Sequence, residues 1–356
     1  MKFRKIGVLT SGGDAPGMNA SIRAITRTAL QNGVEVVGII GGYSGLINEN
    51  IRPLTARDVS NIINLGGTLL KTDRCDEFKT EEGMAKAIET CRKNHIDAIV
   101  AIGGDGTFRG ATDLTNRGIP SIGVSGTIDN DISATDYTVG FDTAMNTVIE
   151  MVDRLRDTGE SHARCMVTEV MGRHCGEIAL LTGIASGAVG IAIPEIEFDV
   201  DACVQRMIEQ KENGKRNFQI IVSEGVGGID SGFGDRLAKT IEERTGVETR
   251  FNVLGHVIRG GIPTLRDRLA ATRMGEKAVQ LLLEGKSNLV VCEIDSEIVP
   301  VDINYALILD RMYKNKLKDG DLDKFTAEQV ADMRAFCERK NAYVRELYDL
   351  ANALSK

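Results

Sequence analysis

The sequence predicts an α/β protein with two three-layer α/β/α lobes, each built around a mostly parallel β-sheet. Apolar runs that end in glycine turns and lead into helical periodicity recur along the chain. At 356 residues the chain is longer than one hydrophobic core usually supports, which favours two lobes. Aromatic residues make up only 4% and Trp is absent, so the core must rest on Ile, Val, Leu and Ala, as in a buried parallel sheet.

The N-terminal part of the chain repeats a strand–turn–helix unit. The first predicted helix ends at Asn32-Gly33, which is a typical C-cap. The second predicted helix is amphipathic and leads into a buried strand. These elements are a strand at 5–10, a glycine turn at 11–17, a helix at 18–31, a strand at 35–40 and a helix at 82–95.

Two glycine turns in the middle of the chain follow apolar runs at 96–102 and 121–125, which predict buried parallel strands. Neighbouring parallel strands bring their following turns to one edge of the sheet, where ligands bind. Backbone N–H groups at a glycine turn before a helix form an anion site. The turn at 103–107 therefore predicts a polyphosphate cradle at Gly104–Thr107, in which Asp105 can hold a hard cation.

A glycine cluster alone is more often only a tight turn. The second turn, at 126–131, favours the anion site because it adds Thr127, Asp129 and Asp131 to the same edge. Asp129 would accept a proton from the hydroxyl of an acceptor; the alternative is a cap or an Asx-turn residue. Asp131 is either a partner of the metal site or a plain helix cap.

The C-terminal half continues the alternation of strands and helices. Its predicted elements are a helix at 138–158, strands at 167–170, 188–194 and 217–222, and a glycine-rich loop at 224–228. The only Gly-Lys-Ser, at 285–287, is not a Walker A loop, because Gln280 stands where that motif needs its first glycine. We interpret Gly285 as the end of a helix.

A long helix is predicted at the C-terminus, starting at the capping box formed by Thr326 and Gln329. Its apolar residues fall at spacings of three, four or seven and define one stripe: Val330, Met333, Cys337, Val344, Leu347, Ala351 and Leu354. The favoured interpretation is that this stripe packs on its own lobe. A contact between subunits is the alternative.

Composition and charge limit the partners. The net charge is −8 and no run of Lys or Arg is present, so nucleic-acid binding is not expected. The seven cysteines form no Cys-x-x-Cys pair and are odd in number, which predicts reduced thiols in the cytosol. No apolar run approaches membrane length and the apolar stretch after Lys5 is too short for a signal peptide, so a cytoplasmic protein is expected.

The motifs together resemble those of the bacterial 6-phosphofructokinases. They are, in chain order, SGGDAPGMNA at 11–20, GGDGT at 103–107, GTIDND at 126–131, SHAR at 161–164, MGRHCG at 171–176, ETR at 248–250 and GHVIRGG at 255–261. The match extends from about Ile6 to Asp310 in the family's order. GGDGT alone would not be specific, because NAD kinases and diacylglycerol kinases have a similar turn.

The resemblance implies the phosphofructokinase fold, with two Rossmann-like lobes between which the chain crosses more than once. It implies a nucleotide-binding lobe of residues 1–140 and about 258–307. The sugar-phosphate lobe would comprise residues 141–257 and about 308–325, followed by a C-terminal helical extension at 326–356.

The activity implied is ATP-dependent phosphorylation of fructose 6-phosphate at its 1-hydroxyl to fructose 1,6-bisphosphate, the committed step of glycolysis. The cofactor implied is Mg²⁺, held by Asp105. Asp129 would be the base, Thr127 would donate its hydroxyl to a phosphoryl oxygen, and Arg173 would stabilise the transferring group. The ATP-binding residues would be Gly12, Arg74, Cys75, Gly104, Asp105, Gly106 and Thr107.

The fructose 6-phosphate site implied by the resemblance adds a second basic cluster. Its residues would be Thr127, Ile128, Asp129, Arg164, Met171, Gly172, Arg173, Glu224, Arg250, His256, Val257, Ile258 and Arg259. Taken singly, each Arg is more often a surface ion pair and His256 a structural histidine. The resemblance also implies an allosteric homotetramer in which Arg164 and Arg250 reach across from a neighbouring subunit.

The phosphoryl donor is expected to be ATP. Family members that use pyrophosphate have Asp at the position of Gly106 and Lys at that of Gly126. A side chain at the first position would crowd the α-phosphate of a nucleotide, and an ammonium at the second would serve pyrophosphate. Both positions are glycine in this chain.

An effector site is implied by four basic residues, Arg23, Arg27, Arg156 and Lys215, which match those that bind ADP or phosphoenolpyruvate in bacterial relatives. Two nearby positions depart from that pattern. Val189 stands where relatives carry a Glu that helps hold the metal on the effector, and Asn213 stands where at least one carries a Lys. Activation by ADP is therefore expected to be weak or altered.

Three other functions compete with this interpretation. A pyrophosphate-dependent or dual-donor phosphofructokinase is the nearest alternative. An NAD kinase would leave the motifs TIDND, MGR and GHVIRGG unexplained. A catalytically silent sugar-phosphate sensor would be expected to lack Asp129 or Arg173, and both are present.

Overall fold

A computed structural model describes residues 3–355, which form two compact units. The first unit contains the described residues up to Ile128, together with Ile132–Thr143 and Arg259–Met333. The second contains Asp129–Asp131, Ala144–Ile258 and the described residues from Arg334 onwards. The chain thus passes from one unit to the other five times.

Eleven strands are found in the described residues. They are β1 Lys5–Thr10, β2 Glu35–Ile39, β3 Ile51–Leu54, β4 Ala98–Gly103, β5 Ser121–Ser125, β6 Cys165–Val170, β7 Gly190–Ala192, β8 Phe218–Ser223, β9 Thr249–Val253, β10 Leu289–Ile294 and β11 Glu297–Asp302. Seven of them match predicted runs, with each end within two residues of the predicted one, whereas β3, β9, β10 and β11 were not predicted as strands.

The helices alternate with the strands. They are α1 Met18–Gln31, α2 Gly42–Ile47, α3 Glu81–Lys93, α4 Asp105–Asn116, α5 Phe141–His162, α6 Glu177–Ala185, α7 Val200–Glu212, α8 Phe233–Thr245, α9 Leu265–Leu283, α10 Ile303–Tyr313 and α11 Ala327–Leu354. Short 3₁₀ helices lie at Glu77–Lys79 and Gly255–Arg259. Helix α1 ends at Gln31 with Asn32 as its C-cap, and Gly33 follows with φ 73°, as the C-cap pattern predicts.

The first unit contains a seven-stranded sheet in the order β11-β10-β5-β4-β1-β2-β3. The five inner strands are parallel, whereas β3 and β11 pair antiparallel at the two edges. Strands β1, β4 and β5 are neighbours, and their buried residues are Val, Ile, Leu, Ala and Gly with a few hydroxyl side chains. Their carboxyl ends therefore deliver three successive turns to one edge of the sheet.

The second unit contains a four-stranded parallel sheet in the order β7-β8-β6-β9. Its core joins strand residues such as Val167 and Phe218 to helix residues such as Met207, Leu237 and Ile241. The α/β class with mostly parallel sheets is thus confirmed.

The edge strands were not predicted from the sequence. Strand β3 contains Pro53 and β11 contains Pro300. Proline cannot donate to a ladder and is confined to edges, so these segments lack the apolar pattern of an inner strand. The segment of β9 was expected to carry a substrate-binding motif but was not predicted as a strand, because Arg250 and Asn252 interrupt its apolar run.

The predicted capping box at the start of α11 is confirmed by two reciprocal hydrogen bonds. The Thr326 backbone N–H donates to Gln329 Oε1 over 3.0 Å, and the Gln329 N–H donates to Thr326 Oγ1 over 3.2 Å. Within the predicted stripe, Met333 and Val344 are buried, whereas Leu354 is exposed. In the second unit α11 reaches α7, where Gln210 donates to the Ser355 carbonyl.

The compact units divide the chain differently from the expected lobes. Residues 308–325, expected in the sugar-phosphate lobe, belong to the first unit. Helix α10 packs on α4 there, and Arg311 forms an ion pair with Asp321 at 2.8 Å. The expected C-terminal extension is divided after Met333. In residues 3–355 no helix is both long and apolar enough to span a membrane.

Candidate active site

The turn between β4 and α4 is the predicted polyphosphate cradle, and its backbone is fixed by close contacts. Gly104 is the N-cap of α4, so the N–H groups of the first turn lie at the positive end of the helix dipole. A Cβ atom on Gly103 would lie 2.3 Å from Thr107 Oγ1 and 2.4 Å from the Ser11 carbonyl oxygen. Only glycine fits at Gly103, because the two turns approach so closely.

Two hydroxyl groups join the turn after β1 to its neighbours in the first unit. Thr107 Oγ1 donates to the Ser11 carbonyl over 3.0 Å, and Thr72 Oγ1 donates to the Gly12 carbonyl over 2.7 Å. Gly12 has φ 87°, a left-handed conformation that favours glycine. The structure therefore brings Gly12 next to the Gly104–Thr107 turn and next to the loop that carries the exposed Arg74 and the half-buried Cys75.

Asp105 is the first residue of α4, and its side chain is 23% exposed. Its Oδ2 lies 3.8 Å from Nζ of Lys314, which also contacts Asp310 Oδ1 at 2.9 Å. Sequence reasoning missed Lys314, because it lies more than two hundred residues from Asp105 along the chain and matches no motif. Within residues 3–355 no cluster of three or more His, Cys, Asp or Glu side chains could hold a metal. A single partly exposed carboxylate suits Mg²⁺, which usually keeps several waters and binds substrate phosphates.

The two predicted donor-specificity glycines differ in their surroundings. A Cβ atom on Gly106 would meet no atom within 4 Å. On Gly126 it would lie 3.0 Å from Ile102 Cγ2 and 3.3 Å from Met18 Cε. A side chain would thus crowd its neighbours at position 126, but not at position 106.

Thr127 and Ile128 follow β5 in the first unit, and both are buried. The Gly126 N–H donates to the Gly103 carbonyl over 2.9 Å, so this turn lies against the end of β4. The Thr127 carbonyl accepts a hydrogen bond from Thr138 Oγ1 over 2.6 Å. These contacts hold the Thr127 backbone beside the turn that leads into α4.

Asp129, Asn130 and Asp131 belong to the second unit. Asp129 is 3% exposed, and Asn130 has φ 49°, an uncommon conformation for a residue other than glycine. Asp131 Oδ2 lies 3.9 Å from Arg173 Nη1. The predicted phosphoryl-stabilising arginine therefore lies beside the loop that carries the predicted base, Asp129.

The Met171-Gly172-Arg173 turn at the end of β6 is held by Glu224. Glu224 Oε1 accepts the backbone N–H groups of Gly172 and Arg173 over 3.2 and 2.9 Å. Arg173 has φ 54°, and its side chain is 54% exposed. A Cβ atom on Gly225 would lie 2.1 Å from the Arg173 carbonyl oxygen, so glycine is required there too. The guanidinium is thus presented to solvent from a fixed backbone.

Arg164 and Arg250 share one carboxylate. Arg164 Nη2 lies 2.9 Å from Glu248 Oε1, and Arg250 pairs with the same oxygen. The hydrogen bond from Arg164, followed by attraction to both guanidinium groups, lowers the pKa of the Glu248 carboxyl. Sequence reasoning did not single out Glu248, although it is the first residue of the ETR motif.

Arg164 and Arg250 lie at the start of the strands of the second sheet, whereas Arg173 lies beyond the carboxyl end of β6. Arg164 immediately precedes β6, and Arg250 pairs with Met166 near the start of that strand. Gly172 and Arg173 follow its other end. At a strand rise of 3.2–3.4 Å per residue, Arg164 and Met171 are separated by about 23 Å. One chain therefore does not bring Arg164 and Arg250 together with Arg173 and Glu224.

His256, Val257 and Ile258 lie in the 3₁₀ helix after β9. His256 and Val257 are exposed, and Ile258 is buried. Arg259 belongs to the first unit, where its Nη1 donates to the Asp14 carbonyl over 3.1 Å. The motif GHVIRGG is thus divided between the two units.

The expected effector residues also fall in both units, with Arg23 and Arg27 on α1 in the first. In the second unit, burial and the nearby Arg156 guanidinium lower the pKa of the Lys215 ammonium. Arg156 itself donates to the Ser186 carbonyl. Val189 is buried in the core of the second unit, and Asn213 caps the end of α7.

The family model for phosphofructokinase matches residues 5–282. The chain belongs to the phosphofructokinase family. Two bacterial relatives support this: an ATP-dependent 6-phosphofructokinase from Clostridium tetani is 53% identical over 315 residues, covering 88% of this chain and 97% of the relative. One from Clostridium botulinum is 51% identical over 317 residues, covering 89% and 98%.

Solved phosphofructokinase structures share the fold. The Saccharomyces cerevisiae enzyme has a TM-score of 0.82 at 33% identity, covering 94% of this chain; the chain spans about half of that protein (50%). The pyrophosphate-dependent phosphofructokinase from Marinobacter aquaeolei has a TM-score of 0.75 at 22% identity, covering 85% of this chain and 83% of that one. At that identity the likeness concerns the fold alone. The expected phosphofructokinase fold is therefore confirmed.

Proposed function

We propose that this chain is an ATP-dependent 6-phosphofructokinase, which transfers the γ-phosphoryl group of ATP to the 1-hydroxyl of fructose 6-phosphate and yields fructose 1,6-bisphosphate. The observation that carries the proposal is the open turn Gly104–Thr107 at the N-terminus of α4. It occurs in a chain that is 53% identical to a relative named for this activity. The reaction is the committed step of glycolysis, and a cytoplasmic location is part of the proposal.

The donor phosphates would be bound by residues of the first unit. Gly104 and Gly106 would offer backbone N–H groups at a helix N-terminus, Thr107 completes the same turn, and Gly12 allows close approach of the neighbouring turn. Arg74 and Cys75 lie on the adjoining loop and would contact the nucleotide. Asp105 would hold Mg²⁺, which when bound neutralises charge on the phosphates.

The chemical step needs one proton acceptor and a stabilised phosphoryl group. Asp129 would accept the proton of the sugar 1-hydroxyl as that oxygen forms its bond to the γ-phosphorus and the bond to the β-phosphate oxygen breaks. Thr127 would donate its hydroxyl to a phosphoryl oxygen. Arg173 would stabilise negative charge on the transferring group with its exposed guanidinium.

Fructose 6-phosphate would be bound by the remaining residues of the substrate site that the family resemblance implies. Glu224 offers carboxylate oxygens to sugar hydroxyls, and His256 lies exposed after β9. Met171, Gly172, Val257, Ile258 and Arg259 belong to the same matching motifs, so we retain them as substrate-binding residues.

We further propose a homotetramer with active sites shared between subunits. Support comes from the separation within one chain, since Arg164 and Arg250 lie at the opposite strand ends from Arg173 and Glu224. A phosphate on the acceptor needs a cationic pocket, and a second copy of the chain would supply it. Allosteric control at Arg23, Arg27, Arg156 and Lys215 remains part of the proposal, with weak or altered activation by ADP.

A coupled assay of fructose 1,6-bisphosphate formation tests the function. Turnover with ATP, Mg²⁺ and fructose 6-phosphate is expected, and none should occur when Mg²⁺ is chelated. Replacing ATP by pyrophosphate should reduce kcat/KM by orders of magnitude. Comparable kcat/KM with both donors would instead establish a dual-donor enzyme, and no turnover with either would exclude the kinase. Repeating the assay with ADP at subsaturating fructose 6-phosphate measures activation.

A further inference from the structure

A chain of contacts within the second unit runs from α11 to the loop Asp129–Asp131. Lys340 Nζ lies 3.1 Å from Glu177 Oε1. The other carboxylate oxygen, Oε2, accepts a hydrogen bond from the Asn130 side-chain amide over 2.6 Å. The Lys340 and Glu177 side chains are only 12% and 11% exposed, so water and salt screen this pair much less than a surface pair.

Asn130 is the central residue of that loop and is held in the left-handed region. A residue other than glycine keeps this conformation only when its surroundings over-determine it. The hydrogen bond to Glu177 is one such contact, and Cys175 Sγ, 3.9 Å from the Asn130 carbonyl oxygen, is a weaker one. Glu177 therefore contacts the loop on which Asp129 is carried and helps to hold its central residue.

The carboxylate of Glu177 depends on the ammonium of Lys340. Glu177 lies in the first turn of α6, and a second buried carboxylate, Glu195, accepts the Gly176 N–H nearby over 2.8 Å. Two carboxylates close together in a buried environment repel each other. Without the ammonium, the Glu177 carboxylate would lose its oppositely charged partner and shift away from Glu195, and its hold on Asn130 would weaken.

Lys340 lies outside the part of the chain that matches the family model, which ends at residue 282. None of the motifs on which the family resemblance rests includes it. Helix α11 thus brings a charged side chain from outside the matched range to a loop made of family motif residues.

We propose that Lys340 is a positioning residue for the reaction: through Glu177 and Asn130, it fixes the backbone that carries Asp129. The inference rests on the proposed function of Asp129 as the base. Lys340 does not touch the substrate in this scheme, so its loss should lower kcat and leave the KM for ATP unchanged.

The test compares the full-length protein with Lys340→Met and Lys340→Arg. Lys340→Met should lower kcat about tenfold, as expected when a reacting group is misplaced by a fraction of an ångström. Lys340→Arg, which keeps the cation, should restore most of it. Arg345→Met, which removes an exposed cation from the same helix, is the matched control and should keep kcat unchanged.

A double-mutant cycle separates positioning from general stability. In an Asn130→Ala background the loss of Lys340 should have almost no further effect on kcat, because both substitutions break one contact chain. Deuterium exchange of the peptide spanning 126–136 should become faster in Lys340→Met. Lys340→Gln keeps a donor of similar length and replaces Lys340→Met in each measurement if that variant does not fold.

The proposal is overturned if Lys340→Met, or its Gln substitute, keeps kcat within twofold of the unsubstituted enzyme. It is also overturned if the loss of Lys340 lowers kcat by the same factor in the Asn130→Ala background as in the otherwise unsubstituted enzyme. Failure of the proposed function is distinguishable, because the unsubstituted enzyme would then show no turnover with ATP and fructose 6-phosphate.

Discussion

The backbone N–H of Arg173 donates a hydrogen bond to the Glu224 carboxylate over 2.9 Å. The same oxygen accepts the N–H of Gly172, so one acidic side chain fixes a turn whose residues have positive φ values. The direction in which the Arg173 guanidinium leaves the backbone therefore depends on Glu224.

Removing this carboxylate should impair catalysis beyond any loss of sugar contacts. We expect Glu224→Ala to reduce kcat/KM for fructose 6-phosphate by about 100-fold, because two backbone donors lose their acceptor and Arg173 is released. Steady-state kinetics with varied fructose 6-phosphate provide the measurement. Glu212→Ala at the exposed end of α7 is the control, and an equal loss in both variants would contradict the role of Glu224.

Asp129 should be required for the chemical step and not for binding. Asp129→Ser is expected to lower kcat by a factor of about 10²–10⁴, the range attributed to general base catalysis, with KM for fructose 6-phosphate nearly unchanged. The coupled assay at saturating ATP measures both constants. Asp332→Ser, at an exposed position of α11, should behave like the unsubstituted enzyme; full activity of Asp129→Ser would remove the residue from the base role.

The two donor-specificity glycines should respond differently to substitution. Gly106→Asp should fold normally, because its Cβ meets no atom of the chain, but KM for ATP should rise at least about tenfold since the carboxylate repels the phosphates. Gly126→Lys should lose about 1–3 kcal/mol of unfolding free energy, because its Cβ crowds Ile102 and Met18. Urea unfolding and ATP titration distinguish them, and a destabilised Gly106→Asp would refute the assignment.

The shared site can be tested by mixing two inactive proteins. Asp129→Ser and Arg164→Ser should each be inactive as homo-oligomers, since each lacks one part of every site. After joint unfolding and refolding, hybrids should regain a measurable fraction of activity, because some sites combine an intact Asp129 with an intact Arg164 of a partner. Absence of recovery, with hybrid oligomers shown by native mass spectrometry, would argue for sites complete within one chain.

Glu195 should make stability depend on pH. Burial is the main cause that raises the pKa of its carboxyl above the ordinary 4.5; the neighbouring Glu177 adds to this, whereas the Gly176 N–H and Lys340 act against it. Its Oε2 is buried and has no hydrogen-bond partner in residues 3–355. The protonated form is therefore favoured in the folded state, and its contribution is complete below about pH 4.5 and is lost as pH rises through the folded-state pKa.

The matched variant is Glu195→Gln, which keeps an acceptor for the Gly176 N–H but does not titrate. We expect its unfolding free energy, relative to that of the unsubstituted protein, to increase as the pH rises from 4 to 8. Urea unfolding at several pH values measures the difference. Two parallel pH profiles would contradict a raised pKa in the folded state.

The parts of the site that could be predicted from the sequence are those made by local geometry. The turn Gly104–Thr107 follows a buried strand and opens a helix, so its position at the sheet edge follows from the chain itself. Lys314 and Lys340 could not be found this way. Each reaches its partner, Asp105 or Glu177, through packing of helices more than 160 residues away, and neither lies in a motif.

The division of the chain into two compact units could not be predicted from local sequence patterns either. The resemblance implied two discontinuous lobes, but the assignment of residues 308–325 depends on tertiary contacts such as those of α10 with α4. Likewise, the edge strands β3 and β11 take their structure from pairing with β2 and β10. A weak intrinsic pattern was overridden there by the neighbouring strand.

The order of the strands in the first sheet has a consequence during translation. Strand β5 pairs on one side with β10, which is made more than 160 residues later. Until the ribosome has released residues 289–294, the hydrogen-bonding edge of β5 stays open on the nascent chain, and such edges promote aggregation. Synthesis that stops between β9 and β10 would therefore leave a truncated polypeptide with one unpaired strand edge exposed. Such a chain would be a substrate for chaperones or proteases.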